Sequence, residues 1–154
     1  MLKQRIITAI LLAIAFIIVT ILFSPFVFSL LITLIVLIAA WEWGGLIGLS
    51  RENLKVSYLA TLAVMIIALF PFLGIYPEVE MISSDRTLIV LGLGVLFWAL
   101  AFLMLLGYPK NSARWNDKSR IAFMGLMALL PAWAGIIQLK YLNPMGYLVL
   151  ALVV

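Results

Sequence analysis

Residues 30–49 read LLITLIVLIAAWEWGGLIGL, and this stretch decides the fold. Its apolar part is long enough to enter a lipid bilayer, and it ends at Trp41, Glu42 and Trp43, which a pair of glycines follows. A transmembrane helix needs about 17–25 apolar residues, and tryptophan is enriched where such a helix meets water. The stretch therefore predicts a membrane span that ends near Trp41.

The composition of the whole chain supports this interpretation. Of its 154 residues, 67% are hydrophobic and only 10% are charged, and the mean hydropathy is +1.29. Soluble domains are about 45–50% apolar and about 25% charged, and they avoid large exposed apolar patches. The sequence therefore predicts an integral membrane protein.

Proline, glycine and charged residues divide the chain into separate apolar runs. We expect an all-α fold, a polytopic transmembrane helical bundle with five full spans and the start of a sixth, in one membrane domain over residues 1–154. The full spans are predicted at residues 6–23, 26–41, 56–73, 87–106 and 121–137. The sixth run, residues 145–154, would reach only about half of the roughly 30 Å hydrocarbon layer. We therefore expect the chain to be the N-terminal portion of a longer protein.

The distribution of Lys and Arg predicts the orientation. Eight of them fall in the N-terminus and in the loops after the second and fourth predicted spans, against two in the other connections. Lys140 is counted here in a connection over residues 138–144. Because cytoplasmic loops carry the excess of cations, the N-terminus is predicted to be cytoplasmic. This rule also accounts for the net charge of +4.

The end of the second predicted span is the first candidate site. Trp41 and Trp43 are typical of an interfacial aromatic belt with Glu42 in water, or else Glu42 faces inward and holds a neighbouring helix or a lipid headgroup. Small residues recur every fourth position at Ala40, Gly44 and Gly48, a spacing that favours close helix packing, although the glycines could equally end the helix. The candidate packing or interface residues are Ala40, Trp41, Glu42, Trp43, Gly44 and Gly48.

Few residues could carry chemistry. The chain has no Cys and no His, which excludes disulfides, thiolate nucleophiles, the usual zinc sites and histidine acid–base catalysis. The basic loop over residues 107–120 could attract anionic headgroups or a nucleotide, but setting the topology is the favoured interpretation. The cores of the five full predicted spans contain no Asp, Glu, Lys, Arg or His, which argues against an ion-coupled transporter. No catalytic, cofactor-binding or metal-binding residue is assigned.

Two stretches nevertheless have a distinctive amino-acid sequence. Residues 1–9, MLKQRIITA, and residues 39–43, AAWEW, followed by Leu46, resemble the bacterial phosphatidate cytidylyltransferase (CDP-diglyceride synthase) family. Pro131 and Trp133 fall where that family often has a proline-aromatic-tryptophan run. The resemblance covers the N-terminal half of the family only.

The resemblance implies a multi-pass nucleotidyltransferase of the bacterial inner membrane, in phospholipid biosynthesis. Such an enzyme converts phosphatidic acid and CTP into CDP-diacylglycerol and pyrophosphate, depends on Mg²⁺, contacts membrane lipid and forms a homodimer; no nucleic acid is expected as a partner. The family's Ser, Lys-Arg, Lys-Asp and metal-binding Asp signature lies in its C-terminal half, and no position here matches it. We therefore expect this chain to be inactive alone. The alternatives are a transporter or channel subunit and a small structural membrane protein.

Overall fold

The computed structural model describes residues 2–107 and 117–153, and over these ranges the fold is entirely helical. The helices are α1 (Leu2–Leu22), α2 (Pro25–Leu46), α3 (Glu52–Leu73), α4 (Ser84–Leu105), α5 (Lys118–Leu142) and α6 (Tyr147–Val153). No strand occurs in the described ranges. The predicted all-α class is confirmed.

Four helices, α2 to α5, are long and apolar enough to cross a membrane. Within α1 the apolar part, Ile6–Leu22, is shorter, and α6 has 7 residues. A multi-pass membrane bundle is therefore confirmed, whereas five full spans and the start of a sixth remain a prediction.

The helices extend beyond the predicted spans, whose bounds remain predictions. α2 continues past residue 41 to Leu46, and α5 continues past residue 137 to Leu142. Hydropathy marks where side chains become polar, but a helix continues for as long as its residues tolerate helical geometry. The extension of α5 has the larger consequence, since it brings Lys140 into the helix instead of a connection.

The turns follow from local sequence. Between α1 and α2, the Ser24 hydroxyl accepts a hydrogen bond from the Val27 amide at 3.4 Å, and Pro25 is the first residue of α2. Proline suits that position because the first amide of a helix has no intrahelical partner. After α3, Gly74 adopts a left-handed conformation with φ 79°, which ends the helix.

α2 packs against α3 and α5, while α4 packs mainly on α5. Its buried residues recur every fourth position and decrease in size along the helix: Phe28, Ile32, Val36, Ala40 and Gly44. Because small side chains let helix axes approach, this gradient allows the neighbouring helices to come closest near Gly44.

α4 is the helix least covered by the rest of the bundle. Its only buried residues are Thr87 and Gly94, and most of its large apolar side chains are exposed, as expected of a lipid-facing helix. A Cβ on Gly94 would lie 2.6 Å from the Pro131 Cβ. The close contact of α4 with α5 at Pro131 therefore requires glycine at this position.

Candidate functional site

The C-terminal end of α2 meets the beginnings of α3 and α5 through two aromatic hydrogen-bond donors. The Trp43 indole Nε1 donates to the Ile121 carbonyl at 2.9 Å, and the Tyr58 hydroxyl donates to the Ala122 carbonyl at 3.2 Å. Both carbonyls belong to the first turns of α5. We call these residues, together with Gly125, the Trp43 junction.

Gly125 makes the Trp43 junction sterically possible. A Cβ at this position would overlap both the Tyr58 hydroxyl and the Trp43 indole. The absence of a side chain exposes the α5 backbone, so the two aromatic groups can reach its carbonyls. The three helices are therefore joined through neutral side-chain-to-backbone hydrogen bonds.

A second set of contacts lies beside this junction. The Lys55 side chain, on the first turn of α3, packs its methylenes against Gly44, where an added Cβ would lie 3.3 Å from Lys55 Cγ. Its ammonium is 5.7 Å from the centre of the Trp41 ring, a cation–π distance. Glu42 is exposed. Of the predicted candidates, Trp41, Trp43 and Gly44 thus contact neighbouring helices.

The other small residues of the candidate set differ from one another. Ala40 is completely buried in the bundle core. Gly48 lies beyond the end of α2 with φ 74°, which favours the alternative that this glycine belongs to the turn after the helix. A left-handed glycine after the last turn is a common helix terminator. The Gly48 carbonyl accepts a hydrogen bond from Lys118 Nζ at 3.2 Å.

The opposite ends of α2 and α5 meet around a buried cation. Lys140, in the last turn of α5, is 0% exposed. Its ammonium donates to the Thr20 carbonyl at 2.5 Å and to the Pro144 carbonyl at 2.5 Å, and it lies 5.7 Å from the centre of the Phe28 ring. We call Lys140, Thr20, Phe28, Pro144 and Gly146 the Lys140 junction.

The Lys140 junction joins four helix ends. Thr20 lies in the last turn of α1 and Phe28 in the first turn of α2, while Pro144 and Gly146 lie between α5 and α6. Gly146 has φ 78°, and a Cβ there would lie 2.7 Å from the Thr20 carbonyl oxygen. Because helix C-termini carry partial negative charge, a cation is well placed at the ends of α1 and α5.

Lys140 lies beyond the predicted fifth span, residues 121–137, in the last turn of a helix long enough to cross a membrane. The expectation that the cores of the spans contain no Asp, Glu, Lys, Arg or His therefore stays a prediction. A second buried polar contact lies deeper, where Trp133 Nε1 donates to Thr33 Oγ1 at 2.8 Å and links α5 to α2.

Sequence reasoning missed Tyr58, Gly125 and Lys140. The sequence contained a signal only for Lys140, which stands four residues before Pro144 among good helix formers, so that continuing the helix would have placed it in the last turn. Neither Tyr58 nor Gly125 differs from ordinary span residues until the fold brings them to Trp43.

The described residues do not fit a magnesium site. Among them, no three His, Cys, Asp or Glu side chains lie close enough together to hold a metal ion. The carboxylates in these ranges are all exposed and are spread over the connections and helix ends: Glu42, Glu52, Glu78, Glu80, Asp85 and Asp117. Magnesium requires clustered oxygen ligands. Most of the basic loop over residues 107–120 lies outside the described residues.

Residues 3–154 match the Cytidylyltransferase family. The chain belongs to this family. The resemblance inferred from residues 1–9 and 39–43 is therefore confirmed. A Cytidylyltransferase-family member named phosphatidate cytidylyltransferase, from Pseudomonas aeruginosa, is 37% identical over 155 aligned residues, which cover 100% of this chain and 53% of the relative.

A second family member with the same name, from Haemophilus influenzae, is 29% identical over 146 residues, which cover 91% of this chain and 49% of the relative. The chain thus spans about half the length of these curated relatives. No solved structure matches it.

Proposed function

We propose that this chain is the membrane scaffold region of a phosphatidate cytidylyltransferase. The observation that carries the proposal is the family match over residues 3–154, together with relatives of that name aligned over most or all of the chain. The helical bundle supports it because the lipid substrate of such an enzyme resides in the membrane.

The reaction assigned to the whole enzyme is a nucleotidyl transfer. A phosphate oxygen of phosphatidic acid attacks the α-phosphorus of CTP, a new P–O bond forms, and the bond from that phosphorus to the β-phosphate oxygen breaks. The products are CDP-diacylglycerol and pyrophosphate. Mg²⁺ would offset the repulsion between the anionic reactants. No residue of this chain is assigned to the metal, because the carboxylates of the described residues do not cluster.

The role of this chain in the reaction is structural. Its buried polar contacts, at Trp43, Tyr58, Trp133 and Lys140, all join one helix to another element of the chain. Trp43, Tyr58 and Lys140 donate to backbone carbonyls and Trp133 donates to the Thr33 hydroxyl, so none of these donors is paired with a side chain that could act as a general base. We therefore propose that the chain holds the bundle in shape and contributes no catalytic group.

The predicted orientation belongs to the same proposal. With a cytoplasmic N-terminus in the bacterial inner membrane, the Trp43 junction would lie at the cytoplasmic face, where CTP is available, and the Lys140 junction at the opposite face. A homodimer is part of the proposal as well. The transporter alternative gains no support from Lys140, since its ammonium contacts carbonyls and an aromatic ring and has no exposed surface.

An activity assay tests the proposal. Membranes containing either residues 1–154 or the complete reading frame are supplied with phosphatidic acid and CTP labelled at the α-phosphate. We expect labelled CDP-diacylglycerol from the complete frame and none above the empty-vector control from residues 1–154. Product from residues 1–154 alone would contradict the scaffold assignment, and no product from the complete frame would contradict the enzyme assignment.

A further inference from the structure

A groove runs between α4 and α5. Its volume is about 690 Å³, and it is lined by residues of α4 and α5 and by Leu152 of α6. We call it the α4–α5 groove. Ligand pockets in proteins typically measure about 300–1,000 Å³.

The length of the groove corresponds to one leaflet of a membrane. Along α5 its lining begins at Pro131 and ends at Leu142, which at about 1.5 Å per residue is roughly 16 Å. Half of the hydrocarbon layer is about 15 Å. A single acyl chain would therefore match the groove from the bilayer midplane to the interface.

The walls of the groove also suit an acyl chain. The small residues Ala132 and Gly135 of α5 and Leu91 of α4 line the groove. Almost all of the lining surface is apolar. The polar side chains of the lining are Ser84, Thr87 and Gln138, at the level where α4 begins. Gln138 Nε2 donates to Ser84 Oγ at 3.4 Å, across the two helices. This pattern is that of a site for an amphiphile whose polar end lies near Ser84.

The charged side chains near Ser84 determine which lipid headgroup suits the polar end of the groove. Asp85 directly follows Ser84, and the connection before it carries Glu78 and Glu80; all three carboxylates are exposed. The two cations among the described residues at this end of the bundle are engaged elsewhere. Arg86 donates to the Phe72 carbonyl of α3 at 2.9 Å, and Lys140 is buried on the Thr20 and Pro144 carbonyls. The carboxylates therefore favour a headgroup with a cationic end over an anionic one.

We infer that the α4–α5 groove binds one acyl chain of a zwitterionic phospholipid whose headgroup ends in an ammonium group. This lipid is chemically distinct from phosphatidic acid, which is anionic, so the inference goes beyond the proposed function and does not rest on it. The bound lipid covers the face of α5 that α4 and α6 leave open.

Photocrosslinking tests the inference with the full-length protein in micelles of a non-ionic detergent. The probe is phosphatidylethanolamine with a diazirine in one acyl chain, and labelled peptides are identified by mass spectrometry. We expect labels on the α4 and α5 segments that line the groove. Unlabelled phosphatidylethanolamine should compete about fivefold better than phosphatidylglycerol or phosphatidic acid, the ratio expected for one interfacial charge interaction.

Two kinds of variant sharpen the test. Ala132→Leu fills the groove at an exposed position and should abolish most of the labelling, whereas Ala68→Leu, also exposed but in the neighbouring groove between α3 and α4, should not. The combined Glu78→Gln, Glu80→Gln and Asp85→Asn variant leaves the groove intact and should remove the headgroup preference.

Three outcomes would overturn the inference. The first is labelling of the groove that phosphatidic acid displaces best, which would make it a substrate site. The second is equal competition by all lipids, which would leave an unspecific lipid-facing surface. The third is the absence of lipid labels from the groove, which would mean that a second copy or another segment of the protein covers it. None of these outcomes would alter the result of the activity assay.

Discussion

The Trp43 junction and the Lys140 junction hold opposite ends of the same helix pair, α2 and α5, by different chemistry. At the Trp43 junction, neutral aromatic donors bind backbone carbonyls that a glycine exposes. At the Lys140 junction, a full positive charge is buried among carbonyls and one aromatic ring. Hydrogen bonds from charged donors are stronger than those from neutral ones, so the Lys140 junction is the more sensitive to change.

The largest effect is expected for Lys140→Ala. This variant leaves the Thr20 and Pro144 carbonyls without their donor and creates a cavity at the helix ends. We expect a loss of about 3 kcal/mol in the free energy of unfolding, since a hydrogen bond from a charged group is worth about 1.5–3 kcal/mol. Unfolding in detergent, followed by circular dichroism, measures this loss. A stability equal to that of the unmodified protein would show that the buried cation is dispensable.

The next effect is expected at Gly125. Replacement by alanine brings a Cβ into the space of the Tyr58 hydroxyl and the Trp43 indole. Overpacking of this kind costs about 1–3 kcal/mol. Gly92→Ala is the matched control, because a Cβ there meets nothing within 4 Å. Equal thermal stability of the two variants would contradict the close approach at the Trp43 junction.

A smaller effect is expected for Trp43→Phe. The indole donor is lost while most of the apolar surface remains, so we expect a loss of about 1 kcal/mol, a typical value for an interhelical hydrogen bond in a membrane protein. A double-mutant cycle with Tyr58→Phe measures whether the two donors act independently. Because they bind neighbouring carbonyls of the same helix turn, we expect non-additive losses. Strict additivity would mean that the two contacts are separate.

The overall class of the fold was accessible from the sequence, but its junctions were not. Long apolar runs and the Ser24-Pro25 break predicted the helices because those signals are local. The burial of Lys140 could not be predicted, because it depends on Thr20 and Pro144 approaching from different parts of the chain. The count of Lys and Arg in each loop assigned Lys140 to a connection between two spans. In the same way, the fourfold spacing grouped Gly48 with Ala40 and Gly44, although the chain leaves the helix before residue 48.

The candidate site was predictable in part. The contacts of Trp43 and Gly44 could be anticipated as helix packing, but the partners Tyr58, Lys55 and Gly125 lie on other helices and became apparent only in the fold. The packing role of Ala40 and Gly44 remains a prediction. Replacing either by leucine should lower thermal stability more than Glu42→Gln, since Glu42 is exposed whereas Ala40 and Gly44 are buried.

We propose that this chain holds the bundle of a phosphatidate cytidylyltransferase without supplying a catalytic group. The rate of CDP-diacylglycerol synthesis per folded molecule of the complete enzyme tests this role when Glu42→Gln is compared with the unmodified protein. We expect the same rate and the same thermal stability for both. A rate that collapses while thermal stability stays unchanged would contradict it, because Glu42 would then take part in the chemistry.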